Sequence, residues 1–236
     1  MIAKSPFLAV LVVGLTLISC GAPSVTGSGV CGAHRRGAAV VSRDVLVYGV
    51  RTDQGPVMTY YACRPPAGLP VELGTDELGS VYGSDEATEA FRAAGTYVAA
   101  ESSTGVATLA VCARYTNIRR CPAAHYWLTV VDTQTRRDRR LPIYLGLPVP
   151  ALVPFPVTVL LSTDGAVAWL QNVVLGENVT GALQLWATAL KPAGHHGLAG
   201  TPAIIDSGAI DRSSVGLSGR TLRWIRDGHR QLRRLS

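Results

Sequence analysis

From residue 38 onward the chain is written in short β-branched and aromatic runs separated by turn residues, a texture that points to antiparallel sheet. Residues 45–50 and 57–63 flank Asp53-Gln54-Gly55-Pro56 and make a first predicted hairpin. Both runs are apolar on both faces, so the hairpin is expected in the middle of a sheet and not at its edge. Further strands are predicted over 96–101, 106–115, 126–133, 157–161, 166–174 and 182–190, with a last group over 215–235. Residues 84–94 alone carry helix signals: Ser84 as N-cap, Asp85, Glu86 and Glu89 in the first turns, and Gly95 as the stop. The expected class is all-β, built of antiparallel hairpins, with one short helix.

Two stretches organise the domain, which is expected over 38–236. Residues 141–156 hold five prolines among Leu, Ile, Val and Phe. Proline cannot donate to a central ladder, so this segment is read as an extended connector between two halves. Just before it, Arg136, Arg137, Arg139 and Arg140 surround Asp138 and read most simply as a solvated turn. A loose internal echo links Ser162-Thr163-Asp164-Gly165 and its following strand with 218–224, and more weakly with 42–48 and 94–99. Each is a polar turn leading into an alternating strand. The echo resembles the blade texture of β-propeller proteins, and four such groups imply a small or incomplete propeller-like arrangement. A β-sandwich assembled from the same hairpins is the alternative.

The N-terminus decides the compartment. Lys4 precedes an apolar run over 6–18 that is shorter than the roughly 20 residues a membrane-spanning helix requires. Gly21, Pro23 and Ser24 follow at once, as after a signal peptide. Leu17-Ile18-Ser19-Cys20 resembles the lipobox of bacterial lipoproteins. The resemblance implies cleavage after residue 19, diacylglycerol on the Cys20 sulfur and acylation of the new amine, with 20–37 as anchor and flexible tether. Several acyl chains hold a protein far more firmly than one, so the domain is expected at the extracytoplasmic face of the cell membrane. Removing residues 1–19 leaves 217 of 236 and takes the formal charge from +6 to +5, since Lys4 leaves. With 47% hydrophobic and 16% charged residues the remainder is a folded domain, not a tail.

Cysteine parity supports the anchor. Five cysteines in an oxidising compartment leave one over, and assigning Cys20 to lipid leaves four. Cys112 and Cys121 are the one local pair, which leaves Cys31 with Cys63; three pairings are open to four cysteines. No Cys-x-x-Cys accompanies them, so no metal site is expected.

The chemistry read from the sequence is sparse. No Gly-x-Ser-x-Gly elbow occurs, and no His-Glu-x-x-His. The mature chain holds one lysine, Lys191. His195-His196 reads as a loop tip, and Tyr60-Tyr61 and Tyr126-Trp127 as core aromatics more than stacking platforms. No cofactor and no nucleic-acid partner is expected. The reading is a lipid-anchored envelope protein whose β-rich domain binds or scaffolds, with an envelope protein or glycan as partner. The alternative is an anchored hydrolase that brings Asp164, His125 or His195 together from distant loops. The stretch 211–236, with seven Arg against two Asp, is the surface expected to meet an anionic headgroup or acidic partner. Its hairpin is read with a three-residue loop, Arg226-Asp227-Gly228. That register sets Leu222 opposite Leu232 and Trp224 opposite Arg230, with Leu222, Trp224 and Leu232 buried and Arg223 outside.

Cys20→Ala tests the anchor. Metabolic labelling with a fatty acid should disappear, and the protein should be released or remain an unprocessed precursor. Normal processing with undiminished membrane retention would refute lipidation at this residue.

Overall fold

A computed structural model describes residues 31–34, 37–51, 57–77, 86–104, 124–147, 158–175, 178–194 and 197–236. Cys20 and the lipobox, Cys112, Cys121, the strand expected over 106–115 and His195-His196 lie outside the described residues. The described chain is all-β. Its first sheet takes β1 (Val40–Val41), β2 (Leu46–Arg51), β3 (Val57–Cys63) and β4 (Val71–Glu77) in chain order, every pair antiparallel. As the apolar faces require, β2 and β3 are the central strands. Val45 and Val47 point into one cluster with Ala62 and Leu73, while Leu46 and Tyr48 point into another with Cys31 and Cys63. A single 3₁₀ turn, Cys31–His34, closes that second face. The Cys31–Cys63 disulfide spans 6.0 Å between Cα atoms, and the His34 ring stacks on Tyr48 at 4.1 Å. The loop it closes corresponds to roughly 3.5 kcal/mol on the chain-entropy scale.

The second sheet is built from β5 (Glu86–Ala94), β6 (Tyr97–Thr104), β7 (Ala124–Asp132) and β8 (Arg137–Leu147). The helix expected over 84–94 is instead β5, paired along β6 from Glu86↔Thr104 to Ala94↔Tyr97. One extra residue between Glu89 and Arg92, with Ala90 at φ 54°, bulges the strand. The bulge resets the alternation, so Thr88 and Phe91, three apart, both serve the first sheet. The Thr88 hydroxyl donates to the Thr75 carbonyl at 2.9 Å, and Phe91 packs on Tyr60 at 4.9 Å between ring centres. A period of three therefore belongs here to a strand.

β8 corrects two further expectations. Of the four arginines, Arg136 alone sits in the turn, at φ 58°, while Arg137, Arg139 and Arg140 already lie on the strand. The expected connector is strand over its first seven residues, 141–147, with Leu141 and Ile143 buried; residues 148–157 are outside the described set. Pro142 is accommodated because it faces Trp127 at a register shift and because, among the described residues, the other side of β8 is paired only at Asp138.

The third sheet begins with β9 (Thr158–Leu161), β10 (Ala166–Leu175) and β11 (Asn178–Ala189). A short hairpin, β12 (Lys191–Ala193) and β13 (Gly197–Ala199), then crosses to the outer edge of β8 through one parallel pairing, Gly197↔Asp138. β14 (Ala203–Gly208) returns to complete the order β14-β11-β10-β9. The fourth sheet is β15 (Ile210–Ser218), β16 (Thr221–Arg226) and β17 (His229–Arg234).

Three apolar clusters join the four sheets face to face in chain order. Val98, Ala100 and Val131 meet the first sheet, and Ala99, Leu128 and Val130 meet the third. On β10, Val167 and Trp169 face the second sheet while Ala166, Ala168 and Leu170 face the fourth. Each interface is sandwich-like, and among the described residues no sheet closes into a barrel. The four echoed stretches carry the turns from first to second strand of each sheet: β1 to β2, β5 to β6, β9 to β10 and β15 to β16. Three of these turns come together, since a Cβ placed on Gly95 would lie 3.3 Å from Thr163 and one on Gly219 3.0 Å from Asp164 Oδ2.

The C-terminal hairpin differs from its expected register. Trp224 pairs with Gln231 and Leu222 with Arg233, closed by a two-residue Asp227-Gly228 turn. Asp227 and Gly228 have φ of 51° and 77°. These values suit a type I′ turn, whose twist matches the flanking strands. A one-residue change of register turns every side chain over, and Leu232, opposite Arg223, is 67% exposed. Leu222 and Trp224 are buried as expected, and Arg223 is outside. Trp224→Ala should cost roughly 3 to 5 kcal/mol in urea unfolding, whereas Leu232→Ala should change stability by less than about 0.5 kcal/mol; comparable losses would contradict the observed register.

Candidate functional site

A cleft of about 450 Å³ opens where the end of β11, the start of the β12–β13 hairpin and the end of β17 meet. Small side chains make one wall: Ala187 and Ala189 on β11, and Ala203 on β14. The chain leaves β11 at Leu190, which is buried and donates its N–H to the Gly165 carbonyl at 3.0 Å. Lys191 therefore starts its hairpin from a fixed point. Gly200 lets the returning strand lie against β11, since a Cβ there would be 2.7 Å from Thr188 Oγ1 and 3.0 Å from the Ala189 carbonyl.

The opposite wall follows from the alternation of β17. Gln231 faces Trp224 and Arg233 faces Leu222. Leu235 continues the same row into the core between third and fourth sheets, its N–H bound to the Arg220 carbonyl at 2.8 Å. Arg233 thus occupies an inward-facing row yet borders the cleft, beside Arg234. Lys191, Arg233 and Arg234 border the cleft, and so does Ser236 with the terminal carboxylate; by the alternation of β17, Arg234 falls on the face opposite Arg233. Among the described residues the three have no ion pair.

The neighbouring carboxylate is already engaged. Asp206 on β14 accepts from the Trp224 indole at 2.6 Å and from the Arg226 guanidinium at 2.6 Å. Burial alone would raise this carboxyl, but donation from Trp224, the Ser207 N–H and Arg226, with the charge of Arg226, holds it below the usual carboxylate range. Asp206 is accordingly a latch between third and fourth sheets.

Of the residues named for the alternative hydrolase, His195 lies outside the described residues, and Asp164 and His125 stand at opposite ends of β6. Asp164 lies in the β9–β10 turn beside Tyr97, where Tyr97, Asp132 and Arg220 also meet. Burial, with Asp132 and Asp164 nearby, raises the Tyr97 phenol despite Arg220. Asp132 is committed to the Thr96 and Thr135 hydroxyls at 2.8 and 2.6 Å. His125 pairs with Thr104, at the other end of β6. Tyr97 and Thr104 are seven strand steps apart, roughly 23 Å. No group of three His, Cys, Asp or Glu side chains able to hold a metal occurs among the described residues. The aromatic pairs are packing groups: Tyr126 is buried, Tyr61 stacks on Tyr48, and Trp127 lies under the Arg140 guanidinium at 5.3 Å. A polar seam between first and second sheets, where Thr88 approaches Ser102 at 3.2 Å, leaves only about 20 Å³, enough for a water-sized group.

No family model, curated protein or solved structure matches this chain. The arginine-rich tail is visible in the sequence as a charge count; that it meets Lys191 is not, because the partners are 42 positions apart and joined only through the packing of third and fourth sheets.

The Asp206 latch has a pH signature. Its folded pKa is depressed, so the stabilisation is complete above the unfolded value near 3.9 and is lost as pH falls through the folded value. The stability difference between wild type and Asp206→Asn should be constant from pH 7 to about 5 and shrink toward pH 2 in urea titrations. A difference independent of pH would mean that the carboxylate charge does not contribute.

Proposed function

We infer that the protein is a lipid-anchored component of the cell envelope, held by Cys20, whose β-rich domain binds or scaffolds an envelope molecule through the cleft of Lys191, Arg233 and Arg234. The observation that carries the reading is a concave site bordered by Lys191, Arg233 and Arg234, with the Ser236 terminus at its edge. The separation of Asp164 from His125 favours binding over hydrolysis. The contact among the first turns of three sheets supports a fan of blade-like sheets around one corner, an incomplete propeller. In such a fan the cleft lies between successive blades.

Solubilised lipoprotein should capture envelope components from a detergent extract, and Lys191→Glu with Arg233→Glu should remove that set while leaving the unfolding midpoint within a few degrees of wild type. An unchanged set would exclude the cleft as the binding surface; an empty wild-type capture would argue against the binding reading.

A further inference from the structure

We propose that the free edge of β17 takes an extended acidic segment of a partner protein as a fourth strand of the fourth sheet. The proposal rests on the reading of the domain as a binding module and names the chemistry of its partner.

Three of the four sheets share a plan from which the fourth departs. In the first three the third strand is covered by a fourth: β3 by β4, β7 by β8 and β11 by β14. In the fourth sheet β17 is the third strand, and among the described residues it pairs with β16 alone. Burial follows the pairing. β3 is half-buried or buried along its whole length, whereas every residue of β17 except Gln231 is exposed. The unpaired N–H and C=O groups along such an edge are a template for another strand. The third sheet, packed against the fourth, does carry its fourth strand, and the cleft lies at that step, between Ala203 and Ile205 of β14 and the end of β17.

The side chains of the edge select the strand that fits. Residues 229–234 hold three arginines and a histidine and no carboxylate. Arg230, Leu232 and Arg234 share the outer face, while Gln231 and Arg233 share the face opposite Trp224 and Leu222. An added strand sends its own side chains alternately to both faces, so cations on both faces serve it. Arg230, Arg233 and Arg234 have no ion pair among the described residues; Asp227 is engaged by Arg226, and the Ser236 terminus lies past the last paired residue, Arg234. A second copy of β17 is turned away, because centred antiparallel self-pairing sets Arg230 against Arg233 or Arg234, and like charges directly opposite are destabilising. A charged edge of this kind blocks self-association and stays open to the opposite sign. An apolar residue opposite Leu232 would cover the exposed leucine. With the antiparallel sense of both pairs in this sheet, the complementary segment reads acidic, acidic, apolar, any, acidic from its N-terminus, set against Arg234, Arg233, Leu232, Gln231 and Arg230 in that order.

The test titrates the solubilised full-length protein, in neutral detergent, with a fluorescent peptide carrying Glu-Glu-Val-Thr-Glu within Gly-Ser flanks, read by anisotropy. Saturable binding is expected, about tenfold tighter than for the same residues in the order Glu-Val-Glu-Glu-Thr, which breaks the cross-strand pairs. Two further peptides carry N-methyl groups on alternate amides. Only one alternate set points at β17, so one methylated peptide should lose binding while the other stays within about twofold of the parent. Loss in both or in neither would mean that no backbone ladder forms and would overturn the proposal, as would the absence of saturable binding. Arg230→Glu should weaken the parent peptide about fivefold, and a peptide with Arg as its fifth residue should recover the loss, while Arg as its first residue should not. Equal recovery from both positions would reduce the effect to net charge and overturn the proposal. If Lys191→Glu with Arg233→Glu removes envelope capture while no acidic peptide binds, the binding surface stands and strand addition falls. If the peptide binds as expected while wild-type capture is empty, the strand site stands and the envelope reading falls. Arg230 is exposed, unfolding midpoints exclude misfolding of its variant, and the methylated peptides carry the test without any variant.

Discussion

Strand β10 serves two cores at once, and the arrangement of the molecule depends on that double burial. Ala166, Ala168 and Leu170 fill the contact with the fourth sheet, while Val167 and Trp169 fill the contact with the second. The two rows have different sizes. Two of the three residues on the fourth-sheet side are alanines, while on the other side the Trp169 ring lies parallel to Trp186 at 6.1 Å. The indole of Trp169 reaches Gln171 at 3.1 Å, and Gln171 in turn bonds Gln184, which also receives the Trp186 indole. The polar atoms of this aromatic pair are thereby satisfied next to the core, where an orphaned donor would be costly. The bond from Leu190 to the Gly165 carbonyl hangs from the same strand pair, so one wall of the cleft inherits its position from this layer.

Much of the architecture is legible in single residues. Val45 to Tyr48 are apolar without alternation because both faces of β2 are covered, and β10 reads the same way for the same reason. The repeated polar turns at Ser42, Gly95, Ser162 and Ser218 mark the same step in each of the four sheets. What misleads is local irregularity. Residues 84–94 carry a capping serine, early acids and a terminal glycine, all of which suit a helix end, but the ladder offered by β6 and the bulge at Ala90 decide for strand; a short isolated helix gains little by comparison. At Asp227-Gly228 the choice between a two- and a three-residue loop rests on turn twist, which outweighs the pairing of Leu222 with Leu232 that the side chains alone would favour.

The site is legible only in part, since charge is counted along the chain while a pocket is made across it. Seven arginines within 211–236 announce an electropositive segment without distinguishing Arg226, which is used up by Asp206, from Arg233, which is not. The distinction appears when the carboxylates are placed: Asp206 and Asp227 both sit at the Arg226 end of the hairpin, while Arg233 and Arg234 lie at the far end of β17, beside the Ser236 terminus. An uneven distribution of acids among evenly spread arginines gives the surface its polarity.

The face-to-face succession of sheets also bears on how the chain reaches its native state. Apart from the polar corner around Tyr97 and the crossing of β13 to β8, the principal contacts join strands within one sheet or sheets consecutive in sequence. Such nearest-neighbour order shortens the loops that must close before contacts form, which lowers the entropic barrier that makes many β topologies slow. A chain synthesised from its N-terminus can lay down the disulfide-closed sheet first and add each layer onto a surface already present. The last layer, whose strand end completes the cleft, can then be added only once the wall it faces has been built.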